Sequence, residues 1–350
     1  MVDAARLGAV GWSSIPAALL GCRRLLEDPM FKTRLTELLG IELPILGGTM
    51  MDLSTASFVT AISEAGALGI IASAIYKDEN LFREDLKRVR AGTDKPFAVN
   101  INLFPMMKKL DNFRYLDIMA EEGVRIVETS GFSPPADLVA RIKEHRMTWL
   151  HKCVGVRYAQ KAEKMGADAV TVVGFENGGA TGNLNVTTLV LVPATVDAVK
   201  IPVVGGGGVV DGRTLLAVLS LGASGAIVGT RLMLTEECPI HPNLKRALLE
   251  ATELDTDVIM RSVGFAHRVW MNSPARKAAE VEARHGGIEE LYPLVSGEAA
   301  KRMYDTGDLE AGTVSCSQGI GLIREIKPVR EVLREMVEQA SAQHARLGLS

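Results

Sequence analysis

Ile201-Pro-Val-Val-Gly-Gly-Gly-Gly-Val-Val-Asp-Gly212, followed by Gly225-Ala-Ile-Val-Gly-Thr-Arg231, reads as two short buried strands that each stop in glycine where a helix should begin. Glycine lets a backbone approach an anion closely, and successive N–H groups at such a turn present positive ends without a cationic side chain. When eight parallel strands close into a barrel, the usual phosphate site lies in the loops after the last two. The pair therefore decides the fold if six further strands precede it.

Six do. Apolar, β-branched runs occur at Pro44 to Gly48, Leu68 to Ser73, Phe97 to Asn102, Arg125 to Ser130, Thr148 to Cys153 and Ala169 to Gly174, ahead of Val203 to Gly207 and Gly225 to Thr230. Between them the periodicity is helical, as where Leu81, Leu86 and Val89 oppose Arg83, Glu84, Lys87 and Arg88. Continuous apolar strands alternating with helices mean a parallel sheet covered by its own crossovers. The expected fold is an α/β protein of the (β/α)8 TIM barrel class, with a doubly wound open sheet as the competing arrangement. A chain of 350 residues, 47% hydrophobic, suffices for one such domain.

Composition narrows the class further. A net charge of −3 gives no electrostatic footprint for nucleic acid or an anionic membrane surface, and no apolar run approaches the roughly 18 to 20 residues that span a bilayer. Cys22, Cys153, Cys238 and Cys316 form no Cys-x-x-Cys pair and have no histidines at metal spacing, so neither a disulfide framework nor a metal site is expected. A cytoplasmic location fits this usage. The barrel core is assigned to residues 30–250. Residues 1–29 form an N-terminal extension, read as an extra helix or a disordered arm. Its Leu19-Leu-Gly-Cys22 resembles a lipoprotein cleavage site, but Gly11, Trp12, Ser13, Ser14 and Pro16 break the segment before it. Residues 251–315, with Phe265, Trp270, Tyr292 and Tyr304 among charged neighbours, read as several short helices serving as a lid over a substrate pocket or as a homodimer interface. Residues 316–350 complete the barrel domain, with an amphipathic helix from Pro328 to Ala345 on the outside.

From Met30 onward the chain resembles the nitronate monooxygenase (2-nitropropane dioxygenase-like) family of FMN-dependent barrels. The resemblance is carried by Thr33-Arg-Leu-Thr-Glu-Leu-Leu-Gly-Ile-Glu-Leu-Pro-Ile45, Lys95-Pro-Phe-Ala-Val-Asn100, Gly166-Ala-Asp-Ala-Val170 and Gly174-Phe-Glu-Asn-Gly-Gly-Ala-Thr-Gly182. Gly207-Gly208, Asp211-Gly212 and Gly229-Thr-Arg231 follow in order. It implies that the backbone of Gly48, Thr49 and Met50 passes the flavin ring and that Asn100 reaches the ring or ribityl edge. Lys152 matches a lysine near the N1–O2 region, where a cation stabilises the reduced flavin's negative charge. Gly178 and Gly179 belong to a glycine loop, Gly206, Gly207, Gly208, Gly229 and Thr230 would hold the phosphate, and Gln318 lies in a late segment, Ser315-Cys-Ser-Gln-Gly319, that closes over the ring. Asn100 has a second reading, as the cap of the following helix.

The implied activity is oxidation of alkyl nitronates with O2 through reduced FMN. The alternative is an NAD(P)H-dependent reductase of a quinone or an enoyl thioester, a small-molecule substrate in either case, and a flavin binder without either activity is the third reading. One departure bears on the choice. The family loop usually reads Glu-Ala-Gly-Gly-His-x-Gly, and here the histidine position is Ala180, while an acidic position just before the loop is Val173. Alanine moves no proton. Of the remaining candidates, His151 should face the helices if Lys152 faces the barrel interior. His241 reads as a helix cap, His267 lies in a segment able to fold over the mouth, Glu176 reads as a support for its loop, and Cys153 and Cys316 lack an activator. No catalytic acid or base is assigned.

Overall fold

The computed structural model describes residues 31–76, 78–104 and 110–348, so the reading of residues 1–29 lies outside the described residues. Eight strands form one parallel sheet: β1 (Ile45–Gly47), β2 (Gly69–Ala72), β3 (Phe97–Asn102), β4 (Ile126–Ser130), β5 (Thr148–Cys153), β6 (Ala169–Val173), β8 (Val203–Gly206) and β9 (Gly225–Val228). A two-residue β7 (Gly179–Ala180) lies outside that sheet. The order is β1-β9-β8-β6-β5-β4-β3-β2. A parallel bridge between Leu46 and Leu68, with the Gly47 N–H donating to the Leu68 carbonyl at 2.9 Å, joins the two ends. The sheet is a barrel, not an open doubly wound sheet.

Period-two alternation sorts each strand's side chains. Leu46, Leu68, Ile70, Ala98, Ile126, Leu150, Ala169, Val204 and Ile227 form one buried cluster inside the barrel, while Ile45, Ile71, Val99, Val127, Trp149, Val170 and Val203 pack outward against the helices. The floor is plugged by α1 (Arg34–Leu39), whose Leu35 and Leu39 join the interior cluster. A Thr33/Thr36 capping box starts this helix and Gly40, at φ 67°, ends it. Apolar residues thus fill the lower barrel, and polar ones are left for the carboxyl ends of the strands.

The crossovers are α2 (Ala56–Glu64), α3 (Glu79–Gly92), α4 (Asn112–Glu121), α5 (Ala136–Glu144), α6 (Val156–Met165), α7 (Thr188–Ala198) and α8 (Gly212–Ser220). On α3 the buried stripe is Phe82, Leu86 and Val89, and Leu81, expected inside, is 55% exposed. The i, i+4, i+7 spacing from Phe82 defines one face, and Leu81 falls about 100° off it.

After β9 come α9 (Thr230–Met233), α10 (Pro242–Leu249), strands β10 (Thr256–Ile259) and β11 (His267–Trp270), and then α11 (Ser273–Ala283), α12 (Ile288–Val295) and α13 (Gly297–Thr306). The segment read as helices therefore opens with a ribbon. β10 and β11 are antiparallel, and β11 also pairs with β7, making a second sheet of order β10-β11-β7. Ile259, Val269, Ala275, Ala278, Val281 and Leu291 give this unit a small core of its own. The last helix, α14 (Val329–Arg346), buries Val329, Val332, Leu333, Met336, Val337 and Ala340 against the barrel's outside, as its amphipathic pattern predicts. Among the described residues no helix is long and apolar enough to cross a membrane.

Candidate active site

The barrel interior turns polar at the carboxyl ends of its strands, and its centre is Glu128 on β4. The side chain is fully buried, and one of its oxygens collects three donors. Thr49 Oγ1 donates to Oε2 at 2.7 Å, Asn100 Nδ2 at 2.6 Å and Lys152 Nζ at 3.1 Å, bringing three of the expected site residues onto one atom. Asn100 Nδ2 also reaches Ser130 Oγ at 3.0 Å, so Asn100 is an interior residue and not a helix cap. Lys152 faces inward two residues beyond Leu150, paired with the carboxylate and 20% exposed. Among the described residues, the buried side-chain polar atoms without a partner are Glu128 Oε1 and Thr171 Oγ1. Thr171 is the β6 partner of Lys152, so both orphans belong to the same polar floor.

The glycine side stands opposite. Gly207 and Gly208 follow β8 with φ of 108° and 72°, a left-handed turn that only glycine enters without strain. Gly229 follows β9, and a Cβ built on it meets nothing within 4 Å, so this backbone faces open space. A Cβ on Gly48 would lie 3.1 Å from Gly229 Cα, which puts the end of β1 against the end of β9. Thr230 is buried, and its Oγ1 accepts from the Ser317 N–H at 3.0 Å, leaving its own proton free to donate. The Met50 backbone is engaged by its own turn. Its N–H donates to Ser54 Oγ at 2.9 Å and its carbonyl accepts from Leu53 and Ser54, so it can offer van der Waals contact but no free backbone hydrogen bond.

The segment ending in Gln318 lies against the glycine side. The Gln318 N–H donates to the Glu176 carbonyl at 3.1 Å, and Gly178 passes so close beneath that an added Cβ would sit 2.7 Å from Cys316 C and Ser317 N. The Glu176 carboxylate accepts from the Thr188 N–H at 3.1 Å, the loop-supporting role expected of it. Buried Arg268 on β11 clamps the loop to the ribbon, donating from Nε to the Phe175 carbonyl at 3.1 Å with its guanidinium 4.6 Å from the Phe175 ring centroid.

In this ribbon His267 pairs directly with Ala180. Cross-strand partners project to the same face, so the imidazole occupies the side of the loop that Ala180 leaves bare. Its Nε2 lies 2.8 Å from Ser315 Oγ. The ring is partly exposed, yet the protein packed around it pushes its pKa down to about 4, which makes it a neutral imidazole at pH 7. The other expected alternatives are structural. His151 is buried on the outer face of β5, 2.8 Å from Thr129 Oγ1, and burial pushes its pKa down to about 4. His241 Nδ1 accepts from the Asn243 N–H at 3.1 Å as the cap of α10. Burial pushes the Cys153 thiol up to about 12 and raises that of Cys316 as well.

The profile of the nitronate monooxygenase family covers residues 32–339 of this chain. The chain belongs to that family. Within it the chain is similar to the enzyme named (3aS,4S,5R,7aS)-5-hydroxy-7a-methyl-1-oxo-octahydro-1H-indene-4-carboxyl-CoA dehydrogenase. The identity is 36% to the Rhodococcus jostii protein, across 91% of this chain and 98% of that one. It is 39% to the Mycobacterium tuberculosis protein, across 68% of this chain and 66% of that one. Among solved structures, FabK from Thermotoga maritima superposes with a TM-score of 0.83 at 34% identity, covering 90% of this chain and 98% of that one. Family membership makes the protein an oxidoreductase. Sequence reasoning missed Glu128, Ser130, Thr171 and Ser315. A glutamate inside the apolar run Arg125-Ile-Val-Glu-Thr-Ser130 was a visible signal for the first of these.

Proposed function

We propose that this nitronate monooxygenase family member is an FMN-dependent oxidoreductase of a hydroxyacyl-CoA type thioester, moving a hydride between the flavin and a carbinol or carbonyl carbon. The residues fit FMN: Gly229 faces open space beside the left-handed turn of Gly207 and Gly208, where backbone N–H groups could meet a phosphate, and the floor holds buried polar atoms that still lack partners. Gly48, Thr49, Met50, Asn100, Lys152, Gly178, Gly179, Gly206, Gly207, Gly208, Gly229, Thr230 and Gln318 would hold it, with Glu128 added. Bound FMN would supply the two-electron chemistry.

His267 carries the choice of substrate. Oxidation of a secondary alcohol requires a base to take the hydroxyl proton as the hydride leaves the same carbon, and the reverse reaction requires an acid at the same place. A neutral imidazole opposite Ala180, held by Ser315, suits that base. The relatives' names place a hydroxyl on the carbon adjacent to the one bearing a carboxyl-CoA group, the arrangement such a base would serve. Oxidation of nitronates remains the second reading, favoured by the family profile and by Ala180, since a nitronate arrives already deprotonated.

Anaerobic titration of the flavin band distinguishes them. Bleaching by a 3-hydroxyacyl-CoA, with 3-ketoacyl-CoA formed in equal amount, is expected. Bleaching by propyl-2-nitronate and not by the thioester would overturn this reading in favour of the second. Bleaching by NADH or NADPH alone would move it to a nicotinamide-driven reductase of a quinone or an enoyl thioester.

A further inference from the structure

The unpartnered oxygen of Glu128 is the strongest unexplained feature of the molecule outside the His267 ribbon. Three donors saturate Oε2, while Oε1, buried at the same floor, has none. A carboxylate oxygen kept from water without a donor is costly, and such an atom in a concave site marks the place of a ligand's N–H or O–H. The surroundings specify the ligand further. Lys152 spends one N–H on Glu128 and retains others, and Thr171 Oγ1 next to it is unpartnered. The floor thus presents a hydrogen-bond acceptor beside donors, the complement of a cyclic imide, in which one N–H is flanked by carbonyl oxygens.

We propose that Glu128 Oε1 receives the imide N3–H of the flavin, with Lys152 serving the adjacent carbonyl, so that Glu128 reads the pyrimidine edge and offsets the charge of Lys152 beneath it. This rests on the FMN reading above. It assigns Glu128 as a cofactor-recognition residue that also restrains the flavin's readiness to accept electrons, because a carboxylate next to the ring disfavours added negative charge.

The test uses two probes, FMN and N3-methyl-FMN, whose methyl group removes the donor. Apoprotein is titrated with each, following quenching of flavin fluorescence. The wild type should bind FMN about tenfold or more tighter than the methylated flavin, the strength of one hydrogen bond to a charged group. Glu128→Ala should bring the two within about twofold of each other. Glu128→Gln, nearly isosteric, should raise the midpoint potential of bound flavin in dye equilibration, because it leaves Lys152 uncompensated. Equal affinities of wild-type apoprotein for the two flavins would overturn the assignment and leave Oε1 to a buried water, with the FMN reading intact. Failure of wild-type apoprotein to bind either flavin would overturn both.

Discussion

At the scale of single residues, the buried acid and the imidazole beside Ala180 stand on elements other than the loop after β6. The interior acid is carried on β4 as Glu128, while the end of β6 carries Val173, a member of the apolar barrel cluster. The imidazole stands on β11, across from Ala180, instead of on the loop itself. His267→Gln should therefore slow flavin reduction by a hydroxyacyl-CoA by about 10² to 10⁴-fold, the usual contribution of a general base, with FMN affinity unchanged. Adding Ala180→His to that variant should recover part of the loss, since the two positions share a face. The pH profile separates a base from a mere packing residue. With its pKa near 4 the wild-type imidazole is neutral across pH 5 to 8, so stopped-flow reduction rates should hold level there and fall only as the pH drops toward 4. A rate that instead halves near pH 6.5 and survives His267→Gln would remove His267 from the chemistry.

At the scale of elements, the seating of the segment ending in Gln318 depends on glycine contact between two backbones. A Cβ on Gly178 would meet Cys316 C and Ser317 N at 2.7 Å, and backbone atoms in a segment pinned by Thr230 Oγ1 and the Glu176 carbonyl cannot move aside cheaply. Gly178→Ala should cost about 1 to 3 kcal/mol in urea unfolding and release flavin more readily on gel filtration. Gly297→Ala, where an added Cβ meets nothing within 4 Å, should stay within about 0.5 kcal/mol. If the two variants behave alike, the close approach is not what holds the segment. The same comparison explains what the sequence made legible. Barrel strands are local objects, runs such as Ala169–Val173 whose burial is continuous, and all eight were readable. The ribbon was not, because four-residue strands such as His267–Trp270 carry charge and take their identity from pairing with Gly179–Ala180 far away in the chain. The left-handed turn at Gly207 and Gly208 could be read from backbone chemistry, whereas the convergence of Thr49, Asn100 and Lys152 on Glu128 depends on barrel closure, which a list of residues does not contain.

At the scale of the whole molecule, two imidazoles tie global stability to pH. Burial pushes the pKa of His151 and of His267 down to about 4, against an unfolded value near 6.5. Between those values the unfolded chain binds protons that the folded protein refuses, so stability rises with pH there. The contribution is fully present above about pH 6.5 and is lost as the pH falls through 4. His151 is the cleaner probe, being 2% exposed on the outer face of β5 and wedged beside Trp149 and Thr129. A displacement of this size corresponds to about 3 kcal/mol when fully expressed. Urea midpoints of the wild type and His151→Gln, each measured at pH 7.5 and pH 5, isolate that share, because every other titrating group is common to both proteins. The glutamine variant starts less stable at pH 7.5, having lost a fitted ring, but it has no proton to take up. It should therefore lose about 2 kcal/mol less than the wild type on acidification to pH 5. Equal losses in the two proteins would mean that the His151 ring is protonated in the folded barrel at pH 5, and that the wall between β5 and its covering helices admits water.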